Sequence, residues 1–132
     1  MIAIDSNVLL RLLLDDDVDQ ARRARALVVT AAEVREPAYI NRAVLCETVW
    51  VLSRGYRHDR SQIARAIELL LAAPAVQLED GTAVEEALVV FRDGTLGFVD
   101  ALIGVLNRRA GCSTTYTFDR RAAATTDFTA VE

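Results

Sequence analysis

Short apolar runs alternate with longer amphipathic segments along the chain. The first run, Ile2-Ala3-Ile4, ends at Asp5, and a run of β-branched and aromatic residues over 114–118 ends at Asp119. Such short runs, bounded by polar residues, predict buried strands. Further strands are predicted at 39–40, 75–78 and 128–131, and helices over 7–13, 18–32, 41–54, 82–91 and 98–110, with one more between a cap at Asp59 or Ser61 and a stop at Pro74.

The alternation of strands and helices favours an α/β fold on a mainly parallel sheet of four to five short strands. No repeat, linker or low-complexity block divides the sequence, so residues 1–132 are predicted to form a single domain. In open parallel sheets, ligands bind beyond the carboxyl ends of the strands. Polar residues that directly follow a predicted strand are therefore the first candidates for a functional site.

The composition is typical of a globular protein without a membrane span. Hydrophobic residues make up 52% of the 132 residues and charged residues 26%, a balance that disfavours disorder. Asp5 and Arg11 interrupt the apolar N-terminus, which also lacks the basic start and cleavage site of a signal peptide. Cys46 and Cys112 lie in apolar stretches and are predicted to be buried free thiols. We therefore expect a cytoplasmic protein.

The basic residues exclude several kinds of chemistry. All 15 are arginines, so a P-loop lysine and Schiff-base catalysis are excluded. His58 is the only histidine, which excludes a pair of catalytic imidazoles and a histidine-rich zinc site. Carboxylates remain in quantity, with 19 Asp and Glu residues in the chain. The chemistry is therefore expected to depend on carboxylates.

Four carboxylates lie at positions that make them candidates for a functional site. Asp5 and Asp119 end predicted strands, while Glu47 and Asp100 lie in predicted helices among apolar neighbours. Each alone has an ordinary structural explanation, as a helix cap, a solvated acid or an acid favoured by the helix dipole. Together they predict one shared site, where a divalent cation would offset their mutual repulsion. Oxygen ligands without His or Cys favour Mg²⁺ or Mn²⁺ over Zn²⁺.

The order of these motifs resembles the PIN-domain family. Ile2-Ala3-Ile4-Asp5-Ser6-Asn7-Val8-Leu9 is similar to the opening of PIN-domain proteins, in which a strand ends in Asp followed by Thr or Ser and Asn. Leu45-Cys46-Glu47-Thr48-Val49-Trp50-Val51-Leu52 resembles their central acidic helix. Gly97-Phe98-Val99-Asp100-Ala101-Leu102-Ile103 and Thr117-Phe118-Asp119-Arg120 resemble their third and fourth acidic motifs. Within the family, the chain is most similar to VapC-type toxins of toxin–antitoxin pairs.

The resemblance implies a three-layer α/β sandwich and a function. The fold would have a central, mainly parallel sheet with helices on both faces, and the protein would be an endoribonuclease toxin that depends on one or two Mg²⁺ or Mn²⁺ ions. By the same resemblance, a metal-activated water would hydrolyse RNA phosphodiesters. A homodimer and inhibition by a cognate antitoxin protein are also implied. The catalytic and metal-binding residues would be Asp5, Glu47, Asp100 and Asp119, with Ser6, Asn7 and Thr117 holding their carboxylates by hydrogen bonds.

One position departs from the family pattern. Many relatives carry an Asp three residues before the third acid, where this chain has Gly97. Asp93 is the nearest acid that could substitute, but Gly94-Thr95-Leu96 makes its geometry unpredictable. We therefore expect one of two metal positions to bind weakly.

Arginine is well suited to contact RNA phosphates because its planar guanidinium offers two parallel donors. Arg120 and Arg121 directly follow Asp119 and are the best candidates, ahead of clusters at 22–25, 54–60 and 108–109. Trp50, in the middle of a predicted helix, is expected in the core or at a dimer interface.

Two other functions stay open. The first is a catalytically silent PIN-like module that binds RNA or protein. The second, a haloacid dehalogenase-type phosphohydrolase, ranks low because position 7 is Asn and the chain lacks lysine.

Overall fold

The five strands lie in two parallel sheets, one in each of two units of the chain. The computed structural model describes residues 1–132, which divide into unit 1, Met1–Gly81, and unit 2, Thr82–Glu132. Unit 1 has a three-stranded sheet in the order β1-β2-β3, and unit 2 pairs β4 with β5. The strands are β1 (Ile2–Ala3), β2 (Ala38–Ile40), β3 (Val76–Leu78), β4 (Thr115–Thr117) and β5 (Phe128–Ala130).

Seven helices connect or follow these strands. None of them has the length and apolar character that crossing a membrane requires. In unit 1 they are α1 (Ser6–Leu13), α2 (Val18–Glu33), α3 (Arg42–Arg54) and α4 (Arg60–Ala72); the others are α5 (Gly81–Asp93), α6 (Phe98–Arg109) and α7 (Arg120–Ala123).

The helices of unit 1 begin where polar side chains cap them. Asp5, Asp17, Asn41 and Asp59 each have extended backbone at the N-cap, and their side chains accept a hydrogen bond from a free N–H of the first turn. At α4, Gln62 completes a capping box by accepting from the Asp59 N–H at 2.9 Å. Because these bonds are local, the first residues of the helices can be predicted from the sequence.

The core of unit 1 lies under α1, where the helix packs against α2 and α3. Small residues on α2, Ala21 and Ala24, are buried and allow the helix backbones to approach closely. On the sheet, α4 packs against β3. The largest fully buried side chains of this unit are Leu9, Ile40, Leu45, Leu52, Ile67 and Thr48.

In unit 2, α6 packs close to the segment that leads into β5. A Cβ added to Gly104 would lie 2.7 Å from Cε2 of Phe128 and 2.9 Å from Cβ of Asp127. Arg108 donates to Asp127 at 2.8 Å and to Glu86 at 2.6 Å, and Arg109 also binds Glu86. Hydrogen bonds from Arg108 and Arg109 hold the pKa of Glu86 below its ordinary value. These ion pairs connect α5, α6 and the segment before β5.

The predicted α/β fold class with parallel strands is confirmed, including the last strand. Two local expectations differ from the structure. Arg120–Ala123 forms a short helix that the sequence pattern did not predict. Cys112 is exposed rather than buried, and Cys46 is only half-buried. Of the two positions expected for Trp50, its 61% exposure excludes the core, and a dimer interface stays a prediction.

Candidate metal centre

Asp5 stands at the carboxyl end of β1 and caps α1. The Ile4 N–H donates to the Tyr39 carbonyl at 3.2 Å, which continues the β1–β2 pairing up to Asp5. The Asp5 Oδ1 accepts a 2.9 Å hydrogen bond from the Val8 N–H, and the side chain is exposed. The cap fixes the carboxylate through one oxygen, and Oδ2 accepts no hydrogen bond within unit 1.

Glu47 lies on the exposed side of α3, between half-buried Cys46 and fully buried Thr48. An ordinary solvated acid at this position could pair with Arg42. In the structure, Arg42 binds Glu79 and Asp80 instead. Burial raises the pKa of the neighbouring Cys46 thiol, so this group stays uncharged near neutral pH. Glu47 is therefore an exposed carboxylate without an arginine partner in its unit.

The carboxyl edge of the three-stranded sheet carries one residue that the sequence analysis did not single out. Glu79 directly follows β3, as Asp5 follows the pairing of β1. Its carboxylate accepts a 2.8 Å hydrogen bond from the Arg42 N–H and pairs with the Arg42 guanidinium at 3.4 Å. The position after a strand was the available signal, but these bonds assign Glu79 to holding the start of α3.

Asp119 repeats in unit 2 the arrangement of Asp5 in unit 1. It follows β4 and caps α7, accepting from the Arg121 N–H at 2.8 Å and the Ala122 N–H at 3.4 Å. Its own N–H donates to the Thr117 hydroxyl at 3.0 Å. The cap bonds thus fix this exposed carboxylate locally, and the Thr117 hydroxyl holds the Asp119 backbone.

Asp100 lies in the first turn of α6 and is exposed. Gly97 is the N-cap residue of this helix and supplies no side-chain cap. A Cβ at position 97 would lie 4.0 Å from Oδ2 of Asp100 with no other neighbour as close. A side chain at this position would therefore reach Asp100 without a steric clash.

The three predicted supporting residues differ in their surroundings. Ser6 is 9% exposed and opens α1, whereas Asn7 is exposed and lines a cavity together with Asp5. Thr117 binds the backbone of Asp119 rather than its carboxylate. Arg120 and Arg121, the predicted RNA contacts, are exposed and belong to α7 directly after Asp119.

The four candidate acids are divided equally between the units. In unit 1, Asp5 caps α1 and Glu47 lies on α3, two helices that pack together, and unit 2 carries Asp100 and Asp119. Neither unit by itself brings three His, Cys, Asp or Glu side chains into an arrangement that could hold a metal ion. All the candidate donors are carboxylate oxygens, a ligand chemistry that suits Mg²⁺ or Mn²⁺.

Comparison with known families gives one match. A model of the PIN domain matches residues 2–127, which is nearly the whole chain and includes all four candidate acids. Comparison with curated proteins gives no match.

Proposed function

The chain belongs to the PIN-domain family, and on that premise we propose that it is a metal-dependent endoribonuclease that acts as the toxin of a type II toxin–antitoxin system. Proteins of this family are generally divalent-metal-dependent nucleases that bind RNA. Nuclease activity therefore follows from the family. The choice of RNA as the substrate cleaved, the Mg²⁺ or Mn²⁺ cofactor and the VapC-type role rest on the motifs of this sequence.

Asp5, Glu47, Asp100 and Asp119 are the proposed catalytic and metal-binding residues. One repeated observation carries this assignment: in each unit an exposed acid follows a strand and caps the next helix, and a second exposed acid stands on a helix. None of the four pairs with an arginine of its own unit. Carboxylates with a purely structural role, such as Glu79 and Glu86, are occupied by arginines.

The protein's own contribution to the reaction is to hold oxygen ligands in fixed directions. The cap bonds to Asp5 and Asp119 immobilise each carboxylate before a ligand arrives. A hard divalent cation bound by these residues would supply an activated water and neutralise charge that develops at the phosphorus. Because His58 is the only histidine, no imidazole pair is present to activate a ribose 2′-hydroxyl. Products with a 5′-phosphate and a 3′-hydroxyl are therefore expected.

Neighbouring residues have supporting roles in this proposal. Ser6, Asn7 and Thr117 orient the acids, and the bond from the Asp119 N–H to Thr117 is consistent with such a role. Arg120 and Arg121 contact RNA phosphates beside Asp119, which their exposure permits.

The assembly is also part of the proposal. We treat residues 1–132 as one PIN domain, which the continuous family match over 2–127 supports. The chain is proposed to form a homodimer in the cytoplasm and to be inhibited by a cognate antitoxin protein. Exposed Trp50 supports a protein interface, because large aromatic side chains are enriched at interfaces.

The deciding experiment is cleavage of total RNA by the purified protein with Mn²⁺, followed by end-group analysis. Asp5→Asn is expected to abolish cleavage, because the amide keeps the helix cap but loses the negative charge. Asp17→Asn is the matched control, since Asp17 caps α2 in the same way without being a candidate ligand. The control is expected to cleave at the wild-type rate and to leave 5′-phosphate ends.

The alternative is a PIN-like module that binds RNA or protein without cutting it. Equal background cleavage by wild type and Asp5→Asn, together with retained RNA binding, would establish that alternative. Equal loss of cleavage in Asp5→Asn and Asp17→Asn would instead show that the effect comes from the helix caps rather than from the metal centre.

A further inference from the structure

A cavity of about 430 Å³ lies between α1 and α2, and Asp5 stands at its wall. The side chains that line it at the start of α1 are Asp5, Asn7, Val8 and Arg11, and those from α2 are Gln20, Arg23, Ala24 and Leu27. Positions 20, 23 and 27 recur at helical spacing, so they share one face of α2. The volume is within the usual range of ligand pockets, about 300–1,000 Å³.

The two arginines of this cavity are held differently. Arg11 is engaged by the Asp16 carboxylate, and only 19% of its side chain is exposed. Arg23 is 72% exposed, and its only ion pair is a 3.6 Å contact with Asp19. Asp19 already accepts a 2.6 Å hydrogen bond from Arg22. Arg23 is therefore the loosely held cation of the cavity.

We propose that this cavity, the α1–α2 cleft, binds the nucleotide next to the scissile phosphate of a single-stranded RNA, with Arg23 contacting its phosphate. The inference rests on the proposed nuclease function, because Asp5 is assigned to the metal centre. Among the arginines of the basic cluster at 22–25, RNA binding is assigned to Arg23 alone. Arg22 and Arg25 belong to the same cluster of the sequence but do not line the cleft.

The lining chemistry matches a nucleotide in three respects. The Arg23 guanidinium can donate two parallel hydrogen bonds to phosphate oxygens. The side-chain amides of Asn7 and Gln20 can donate to and accept from a base edge or a ribose. Leu27, which is 46% exposed, offers an apolar surface for the face of a base. An apolar protein segment would use Leu27 but would leave these polar groups without partners.

The test measures RNA binding separately from cleavage. A short fluorescein-labelled single-stranded RNA of mixed sequence is titrated with the full chain in EDTA, and affinity is followed by fluorescence anisotropy at several salt concentrations. Arg23→Ala is expected to weaken binding about tenfold. The slope of log affinity against log salt is expected to fall by about 0.7, the value for one lost phosphate contact on a single strand.

Two further variants make the readout specific. Arg25→Ala removes the same charge from the same helix at a residue that pairs with Asp15 at 2.8 Å, and it is expected to bind RNA within about twofold of wild type. Arg23→Lys keeps the charge but not the guanidinium fork, so it is expected to restore the salt slope and only part of the affinity. In cleavage with Mn²⁺, Arg23→Ala is expected to raise KM more than it lowers kcat.

Each outcome decides the proposal. If Arg23→Ala and Arg25→Ala weaken RNA binding equally, RNA responds to the total positive charge of α2 rather than to a contact with Arg23, which would overturn the assignment. Unchanged RNA binding in both variants would show that RNA does not depend on Arg23 and would overturn the assignment as well. If Arg23→Ala alone weakens RNA binding while wild type and Asp5→Asn show equal background cleavage, the cleft is an RNA site and the nuclease proposal alone fails.

Discussion

The Tyr56 hydroxyl donates a 2.6 Å hydrogen bond to Oδ2 of Asp16, a residue 40 positions earlier in the chain. The other oxygen of the same carboxylate accepts from Arg11 on α1. This cluster connects the end of α3, the end of α1 and the loop that leads into α2. It therefore stabilises the two helices that form the α1–α2 cleft, through contacts that cannot be predicted from a local sequence pattern.

Removal of the Tyr56 hydroxyl is expected to lower stability in a pH-dependent way. The hydrogen bond from Tyr56, followed by that from Arg11, holds the pKa of Asp16 below its ordinary value. A carboxyl group whose pKa is lower in the folded than in the unfolded protein stabilises the fold at pH values above its unfolded pKa of about 3.9. This stabilisation is lost as the pH falls through the pKa of the folded protein. Tyr56→Phe is therefore expected to melt earlier than wild type at pH 7.

The gap in melting temperature is expected to narrow as the pH falls below the unfolded carboxyl value of about 3.9 and on through the lower pKa of Asp16 in the folded protein. Thermal unfolding followed by circular dichroism across this range measures the effect. Tyr116→Phe, which removes an exposed hydroxyl on β4, is the control and is expected to leave the melting temperature unchanged. A gap that stays constant from pH 7 to strongly acidic pH would contradict the role of Asp16.

Thr48 is expected to be a position where a substitution stabilises the protein. Its side chain is 1% exposed, and its Oγ1 has no hydrogen-bond partner. A buried polar group without a partner reduces stability by about 1–3 kcal/mol, and valine has nearly the same shape. Thr48→Val is expected to raise the free energy of unfolding by about 1 kcal/mol in urea denaturation.

Thr30→Val on α2 is the matched control for this substitution, because Thr30 is exposed. It is expected to change stability by less than about 0.5 kcal/mol. A loss of stability in Thr48→Val would show that the hydroxyl is satisfied in solution, for example by an ordered water.

Gly104 is expected to tolerate no side chain. Overpacking against Phe128 and Asp127 costs about 1–3 kcal/mol, which exceeds the gain of about 1 kcal/mol from replacing a helical glycine by alanine. Gly104→Ala is therefore expected to lower the free energy of unfolding. Gly81→Ala is the control, because an added Cβ there has no neighbour within 4 Å.

A double mutant distinguishes packing from backbone effects at this position. Phe128→Leu shortens the side chain that a new Cβ would meet, so Gly104→Ala is expected to be less costly in that background. Additive losses in the double mutant would point to a different cause.

Gly97→Asp is expected to strengthen metal binding at the proposed centre. The backbone at position 97 is extended, with φ −65° and ψ 155°, and accepts any L-residue. A new carboxylate would lie beside Asp100 and add a negative oxygen ligand, so Mn²⁺ affinity measured by calorimetry is expected to rise about tenfold.

Gly97→Asn is the matched control, since it adds the same helix cap without the charge. It is expected to leave Mn²⁺ affinity unchanged. Without metal, Gly97→Asp is expected to melt below Gly97→Asn, because two neighbouring carboxylates repel each other. Equal Mn²⁺ affinity in the two variants would place the metal away from Asp100.

Much of the fold was predictable because its signals act over a few residues. The helix predicted to begin at residue 41 is capped by Asn41, and of the two caps expected for α4, Asp59 or Ser61, the structure uses Asp59. Pro74 follows the end of α4, as expected. The short helix at Arg120–Ala123 was missed because four residues offer no hydrophobic period to recognise. The sequence left open whether Trp50 lies in the core or at a dimer interface, since an apolar side chain in a helix is compatible with either face, and its exposure excludes the core.

The candidate acids were identified from their places in the sequence. Asp5 and Asp119 follow strands in the structure, as expected, because a polar residue after a short apolar run marks a strand end. The meeting of all four acids stays a prediction. The bonds that engage Glu79 at the start of α3 join residues 37 positions apart and could not be foreseen.

The sequence by itself determined the order of strands and helices, their caps and the family, because these depend on residue types at short and fixed spacings. Only the tertiary structure decided that Arg11 is bound by Asp16 while Arg23 is left exposed in the α1–α2 cleft, and that Gly104 lies against Phe128. The physical reason is that ion pairs and close packing depend on distances between side chains that are remote in sequence, and folding sets those distances.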